Sequence, residues 1–517
     1  MGNGVRGALA GAMVFALAAC GGGGSGPGGV ATTVPPPPGG GSTGTYTPGV
    51  FPSRTTFAGQ CTAFNEKMFL RSWTNELYLW YNEVPDPNPN ASTTVEDYFF
   101  DVLITPQMTT SGSPKDRFHF TFDTAEWQAL SQSGQSIGYG AELMILEFDP
   151  PRRAVVAYVE PGTPASVAGL TRGMEVLSVD GVGINDTTQA GVNKLNAAFF
   201  PAAAGQTFTF VFRPPSGSDV SKQLTTANIT HKPVLFDNTI AQGADSVGYL
   251  VFNDHIATAE QQLIAAINRL QGVDDLILDI RYNGGGFLDM ASELAFMIAG
   301  PTQTTGQTFE RLMFNNKHPT TDPVSGDPLS PGTPFHATTL GFSTTAGQPL
   351  PTLGLSRVYV ITGPNTCSAS ESIINSLRGV NVQVFQIGST TCGKPYGFYP
   401  QDNCGTTYFS IQFQGVNAMS FGDYPDGFAP QNQSGPRSVP LAGCSIADDF
   451  TKELGDQLEA RLKGALDFRA SGNNLASCPT ATGLAPGARL KPGQALSMAD
   501  GKMFKSPARE NRILRQH

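Results

Sequence analysis

From about residue 234 to about 470 the chain alternates short apolar runs with amphipathic ones, and that alternation limits the fold more than any other feature. Residues 247–252 read as a strand, 259–270 as an amphipathic helix and 275–280 as a buried strand. A helix over 287–298, a long polar insertion, a strand over 357–362, a helix over 368–378 and a strand over 382–387 continue the series. The pattern predicts an α/β core whose functional groups lie at strand ends.

A chain of 517 residues is too long for one core, so further domains are expected upstream. Residues 51–130 place Phe69, Leu70, Trp73, Leu77 and Trp80 at near-helical spacing, which predicts a small helical domain whose aromatic stripe is core rather than chemistry. Residues 131–233 change to short β-rich runs punctuated by Gly and Pro. The α/β core would end near 470, leaving 471–517 as an extension whose last 17 residues lean basic and read as a solvated tail. A net charge of −10 excludes a phosphate-binding surface, and nucleic acid is not an expected partner.

The first 20 residues carry Arg6, an apolar run from Ala8 to Ala19, and Cys20, the layout of an export signal. Leu17-Ala18-Ala19-Cys20 resembles the bacterial lipobox, which implies lipidation of Cys20; Gly21 after it implies an outer-membrane lipoprotein facing the periplasm. Residues 21–50 contain no charged side chain and read as a Gly/Pro-rich tether reaching roughly 30 Å. The other six cysteines, Cys61, Cys367, Cys392, Cys404, Cys444 and Cys478, suit disulfides in an oxidising compartment. The short step from Cys392 to Cys404 offers one pairing, and the flanking of two reactive-looking segments by Cys367 and Cys392 offers another. With no CxxC pair or close His/Cys cluster, neither a metal nor another cofactor is expected.

Residues 159–181, with Glu160-Pro161-Gly162-Thr163-Pro164 and Gly173-Met174-Glu175-Val176, closely resemble a PDZ domain. That resemblance implies a loop whose backbone N–H groups receive a peptide carboxylate, here Ile137-Gly138-Tyr139-Gly140-Ala141, while the peptide adds as a strand. Downstream, Asp279-Ile280-Arg281-Tyr282-Asn283-Gly284-Gly285-Gly286, then Thr366-Cys367-Ser368-Ala369-Ser370-Glu371, then Thr391-Cys392-Gly393-Lys394 occur in order. With Asp426-Gly427-Phe428-Ala429-Pro430 closing the set, they resemble the carboxyl-terminal-processing (tail-specific) serine peptidases, relatives of the tricorn core. The resemblance implies an α/β multidomain protein: a small N-terminal helical domain, a β-rich PDZ domain and a ClpP/crotonase-like spiral core.

By that resemblance Ser368 is the nucleophile and Lys394, 26 residues on, its general base. A hydroxyl attacks only when a neighbour takes its proton, and a Lys does so only when burial lowers its pKa toward about 7 to 8. Tyr396 and Phe398 are candidates for the apolar wall. The tetrahedral oxyanion needs donors, and the resemblance places them at Ala369 and at Gly284 or Gly285. Asp279 and Arg281 are expected to support the glycine loop. Ser368-x-x-Glu371 also reads as a helix capping box, Ser370 and Ser372 are rival hydroxyls, and His255 is the best placed of six histidines for a Ser/His/Asp alternative. Phe398 stands where many relatives carry a Gln, and Gln401 is the nearest substitute. The expected activity is endopeptidase cleavage of proteins with free carboxyl termini through a Ser/Lys acyl-enzyme. A catalytically weak PDZ scaffold of the envelope and a non-peptidase ester or amide hydrolase are the alternatives. The expected contact with a membrane is through the lipid anchor alone.

Overall fold

The computed structural model describes residues 44–147, 150–433 and 438–482, together with the backbone of 511–513. The export signal, Cys20 and the tether as far as residue 43 fall outside the described residues, while the tether's last residues are packed, with Gly49 N–H on Asp86 Oδ2 and Arg71 donating to Val50 O. Five strands form the central sheet in the order Val234–Gln242, Asp245–Phe252, Asp275–Asp279, Arg357–Thr362, Gln383–Gly388. The first pair is antiparallel, and the remaining neighbours are parallel. Alternate residues of these strands serve two cores, which is why they read as continuous apolar runs. Leu276, Leu278, Val358 and Val360 face helices Ala259–Arg269, Leu288–Ala299 and Ala369–Gly379. Ile277, Tyr359, Ile361 and Ile387 face helix Ala460–Ala470. Each buried aliphatic side chain stabilises the fold by roughly 1.5–3 kcal/mol before entropy is counted.

Residues 135–230 form a β-rich lobe with its own core around Val156, Val176, Leu195 and Phe210. Its sheet runs Ala141–Glu147, Arg153–Val159, Glu175–Val179, Thr207–Arg213, Val220–Thr225, so Ala141–Glu147 is an edge. Strand Gln135–Gly138 pairs with Ala227–Thr230 and draws the lobe's entry and exit together. The guanidinium of Arg172 fastens the lobe to the core, donating to Tyr282 Oη, to Asp448 Oδ1 at 2.7 Å and to Lys452 O.

The N-terminal helical region packs directly on the core. Strand Phe120–Asp123 pairs antiparallel with Thr406–Phe409, and Phe120 stacks on Phe409 with ring centroids 4.0 Å apart. Tyr78, Trp80 and Phe118 share a cluster with Tyr396 and Phe398, and a disulfide joins Cys61 to Cys404. The other bridges are Cys367–Cys392 and Cys444–Cys478. Cys392 therefore does not pair with Cys404, although it is the nearer in sequence, because Cys404 sits on the hairpin that meets the N-terminal region. The last bridge and the turn Leu475–Ser477 carry the core past residue 470.

The insertion over 300–355 is tied down at both flanks. Strand Thr308–Phe314 pairs with Phe413–Val416, and the Glu260 carboxylate accepts N–H groups from Leu340, Gly341, Ser343 and Thr344 at 2.7–3.0 Å. The expectation of a wholly solvated tail also fails, since the backbone of Asn511–Ile513 pairs in parallel with Gly285–Phe287.

Candidate active site

Three neighbouring parallel strands end at Asp279, Thr362 and Gly388, and their following loops carry the three sequence motifs to one edge of the sheet. Ser368 caps helix Ala369–Gly379 with φ 60° and ψ −116°, a conformation that L residues avoid. Such strain costs about 1–3 kcal/mol and persists only where the surroundings over-determine it. Here the preceding Cys367 is held by its disulfide to Cys392 and donates its N–H to Asn283 O at 3.1 Å.

One carboxylate then ties the nucleophile loop to the lysine loop. Glu371 Oε2 accepts the N–H of Ser368 at 3.0 Å and that of Lys394 at 2.8 Å. The two main-chain nitrogens are therefore no more than about 6 Å apart. Its other oxygen accepts Gly393 N–H at 2.9 Å and the Thr391 hydroxyl. Burial raises the Glu371 pKa, and the donors from Thr391, Lys394, Gly393 and Ser368 act against that rise. Gly393 is required in this turn: φ is +81°, and a Cβ would stand 2.3 Å from Pro425 O.

Ser368 and Lys394 are both wholly buried. Lys394 Nζ lies 4.5 Å from the ring centroid of Phe398 and 5.0 Å from that of Phe118. Phe398 was expected as a wall. Phe118 was not, because it lies outside every motif, in the N-terminal region to which no chemistry was assigned. Tyr396 packs edge-on to Trp80 in the same cluster.

The glycine loop is braced from beneath. Asn283 Oδ1 accepts Gly285 N–H at 2.9 Å and faces His255 Nδ1 at 2.9 Å. Gly285 N–H is thus already engaged by Asn283, which leaves Gly284 and Ala369 as candidates among the residues expected as oxyanion donors. The His255 main chain bridges to Gly286, and a Cβ on Gly286 would stand 2.4 Å from His255 O. Burial pushes the His255 pKa down to about 3, so the imidazole is neutral. Through Nδ1 and its main chain His255 buttresses the glycine loop.

Ser370 donates to Asn283 O at 3.0 Å and Ser372 to Ser368 O at 3.3 Å, which gives the rival hydroxyls backbone-bracing roles. Asp279 and Arg281 support the loop as expected, in a larger network. Arg281 donates to Asp279 Oδ2, Asp448 Oδ1 and Glu459 Oε1, each at 2.8 Å, and these carboxylates raise its pKa against the opposing effect of burial. Asp448 is held far below the usual carboxylate range by Arg461, Arg281 and Arg172 despite burial. Neither Asp448 nor Glu459 lies in a recognisable motif. Gln401 does not fill the expected auxiliary position: it sits on strand Gln401–Asn403, where its amide donates to Asp402 O.

In the β-rich lobe the expected carboxylate loop is part strand and part core. Ile137 and Gly138 pair with Asn228 and Ala227, and Tyr139 is buried with its hydroxyl on Ala198 O. Gly140 turns with φ +75° and its carbonyl accepts Glu160 N–H at 2.8 Å. Ala141 opens the edge strand.

Residues 246–398 match the model of Peptidase family S41, and residues 65–120 match that of the Peptidase S41 N-terminal domain. A carboxyl-terminal-processing protease of Picosynechococcus sp. is 31% identical over 169 residues, covering 32% of this chain and 38% of that protein. The chloroplastic C-terminal processing peptidase of Tetradesmus obliquus is 29% identical over 179 residues, with the same coverage of 32% and 38%. The chain thus spans less than two thirds of the length of the curated relatives it matches. In three dimensions a Bacteroides fragilis protein assigned to the S41 proteases aligns with a TM-score of 0.58 at 23% identity, over 78% of this chain and 97% of that one, which is a likeness of fold. The peptidase model thus falls on the strands and loops that carry the glycine loop, Ser368 and Lys394, and over that part the chain is similar to peptidase family S41 and its carboxyl-terminal-processing members.

Proposed function

We propose that the protein is a serine endopeptidase in which Lys394 takes the proton of Ser368. The observation that carries this reading is the shared acceptor Glu371 Oε2, which draws two wholly buried residues from separate loops together beside aromatic rings. Ser368 Oγ attacks the scissile carbonyl, Lys394 accepts its proton and returns it to the leaving amine, and water then hydrolyses the acyl-enzyme. Gly284 and Ala369 N–H groups stabilise the oxyanion, each worth roughly 3–4 kcal/mol. A fluorophosphonate probe should label Ser368, and Lys394→Ala should abolish the labelling. Labelling unchanged in that variant would remove Lys394 as the base. Hydrolysis of small esters with peptides left intact would favour an esterase instead.

The 131–233 lobe, on this reading, is a PDZ-like receptor for substrate carboxyl termini, supported by the free edge of Ala141–Glu147 beside the Gly138–Gly140 turn. Gly140→Asp is a poor test because a Cβ there would meet Thr163 at 2.2 Å, whereas Gly138 has open space. Gly138→Asp places a carboxylate where the substrate's own would bind. It should raise KM for substrates with free carboxyl termini and leave amidated ones unchanged; equal effects on both would count against tail capture.

Export and lipidation at Cys20 complete the proposal. Three disulfides are consistent with an oxidising compartment, and no helix among the described residues is long and apolar enough to cross a membrane. Radiolabelled palmitate should enter the protein and fail to enter Cys20→Ser. An outer-membrane position facing the periplasm is tested by fractionating the envelope.

A further inference from the structure

Strand Gly285–Phe287 has two edges, and both are occupied. On one side Gly285 O accepts His255 N–H at 3.2 Å and Phe287 N–H donates to His255 O at 2.8 Å. Alternation along an extended chain then turns the N–H and C=O of Gly286 to the opposite side. Along that side runs the backbone of Asn511–Ile513, in parallel register: Asn511 with Gly285, Arg512 with Gly286 and Ile513 with Phe287. The same segment lies against Tyr396–Gly397 and helix Ala369–Gly379. Those three elements flank the glycine loop, the lysine loop and the residue after Ser368, so an extended backbone placed among them follows the groove that a peptide would take past the nucleophile.

We propose that the Gly285–Phe287 edge is a backbone-binding subsite for extended peptide, and that the chain's own segment 511–513 is its resident occupant, which substrate must displace. The chemistry is strand addition, in which main-chain hydrogen bonds supply affinity irrespective of side chains. Glycine at 286 lets the strand lie close against His255, where a Cβ would stand 2.4 Å from His255 O, and so keeps the opposite edge in place for an incoming backbone. An occupant tethered to the same chain lowers the accessible fraction of the site and weakens the apparent affinity for external peptide by that fraction. The inference rests on the peptidase reading only in taking this groove as the catalytic one.

The test uses the full chain and the variant Arg512→Pro/Ile513→Pro, whose consecutive prolines remove both N–H groups that could serve the ladder. Hydrogen exchange is followed at the Gly286 amide, with strand Asp275–Asp279 as the internal standard for intact folding. Exchange at Gly286 should quicken in the variant while the standard is unchanged, and a synthetic peptide of residues 507–517 should slow it again. Fluorophosphonate labelling of Ser368 should rise by about fivefold or more in the variant and fall with added peptide. Identical Gly286 exchange in the two chains, with no effect of the peptide, overturns the proposal. Faster exchange with Ser368 unlabelled in both chains leaves the docked strand standing and removes the peptidase reading instead.

Discussion

Lys394 Nζ stands 5.0 Å from the ring centroid of Phe118, so the N-terminal region supplies one wall of the pocket that holds the proposed base. Two effects of that ring oppose each other. Its π face favours the ammonium by about 0.5–2 kcal/mol, whereas excluding water from a fully buried amine favours the neutral form by up to roughly 4–7 kcal/mol. A base at Lys394 requires that dehydration outweigh the ring. On that reading Phe118→Ser, by admitting water, favours the ammonium. Since only the free amine acts as base, the acidic limb of the kcat/KM profile should move to higher pH by about one unit, while Phe118→Leu should leave it in place. A limb that stays fixed or moves acidward in the serine variant would contradict a desolvated base.

Glu371 joins three main-chain N–H groups and one hydroxyl from two loops, and no neutral residue replaces it well. Glutamine turns an NH2 toward two of those donors, leaving buried polar groups unpaired at about 1–3 kcal/mol each. Glu371→Gln should lower the midpoint of chemical denaturation and slow fluorophosphonate labelling of Ser368 by about a hundredfold or more, an effect transmitted through the positions of Ser368 and Lys394. Retained labelling alongside lost stability would confine Glu371 to a capping role.

The sequence pattern was most informative where local and tertiary demands coincide. The 357–362 strand and the 259–270 helix appear as Arg357–Thr362 and Ala259–Arg269, because the strand is apolar on both faces between two cores and the helix presents one apolar stripe to one core. Ser368, Lys394 and the glycine loop were legible because three ordered motifs frame them. Phe118 was not, since an aromatic residue that walls a base looks like any other core aromatic until the two segments meet. Asp448 and Glu459 were hidden for a similar reason: their meaning lies in Arg281, far upstream, and no local spacing records it. Pairing of Asn511–Ile513 is likewise a main-chain event that leaves no side-chain signature.

The Cys367–Cys392 bridge closes a loop of 25 residues that begins beside Ser368 and ends two positions before Lys394. Loop-closure entropy alone gives about 3–4 kcal/mol for such a crosslink. Cys367→Ala/Cys392→Ala should lose stability of that order, read as a lower denaturation midpoint, and should also lose activity, because the strained Ser368 backbone is then held by hydrogen bonds alone. Cys444→Ala/Cys478→Ala removes a bridge of similar span, 34 residues, at the core's far face. It should cost comparable stability with activity retained in the folded fraction. Equal losses of activity in both variants would show that the catalytic loops do not depend on the nearby crosslink.

Glu293 is buried on helix Leu288–Ala299, where desolvation first and the Glu260 carboxylate second push its pKa up to about 9. Its folded-state pKa lies above the unfolded value of about 4.3, so the folded chain binds the extra proton over the interval between them. This group's contribution is therefore most favourable below about pH 4 and declines as pH rises toward 9, after which it is constant. Glu293→Gln carries no such proton. The variant should gain on the parent chain between pH 6 and pH 9, by at most several kcal/mol in urea denaturation. Glu260 plays a different part: its carboxylate accepts four N–H groups from the 340–344 loop and so holds that insertion. Glu260→Gln should consequently loosen the 340–344 amides in hydrogen exchange at every pH, whereas Glu293→Gln should protect them at pH 9, where the parent chain has begun to carry two like charges side by side. A pH-independent difference between Glu293→Gln and the parent would mean that Glu293 is already ionised at neutral pH and that the insertion is held by some other balance.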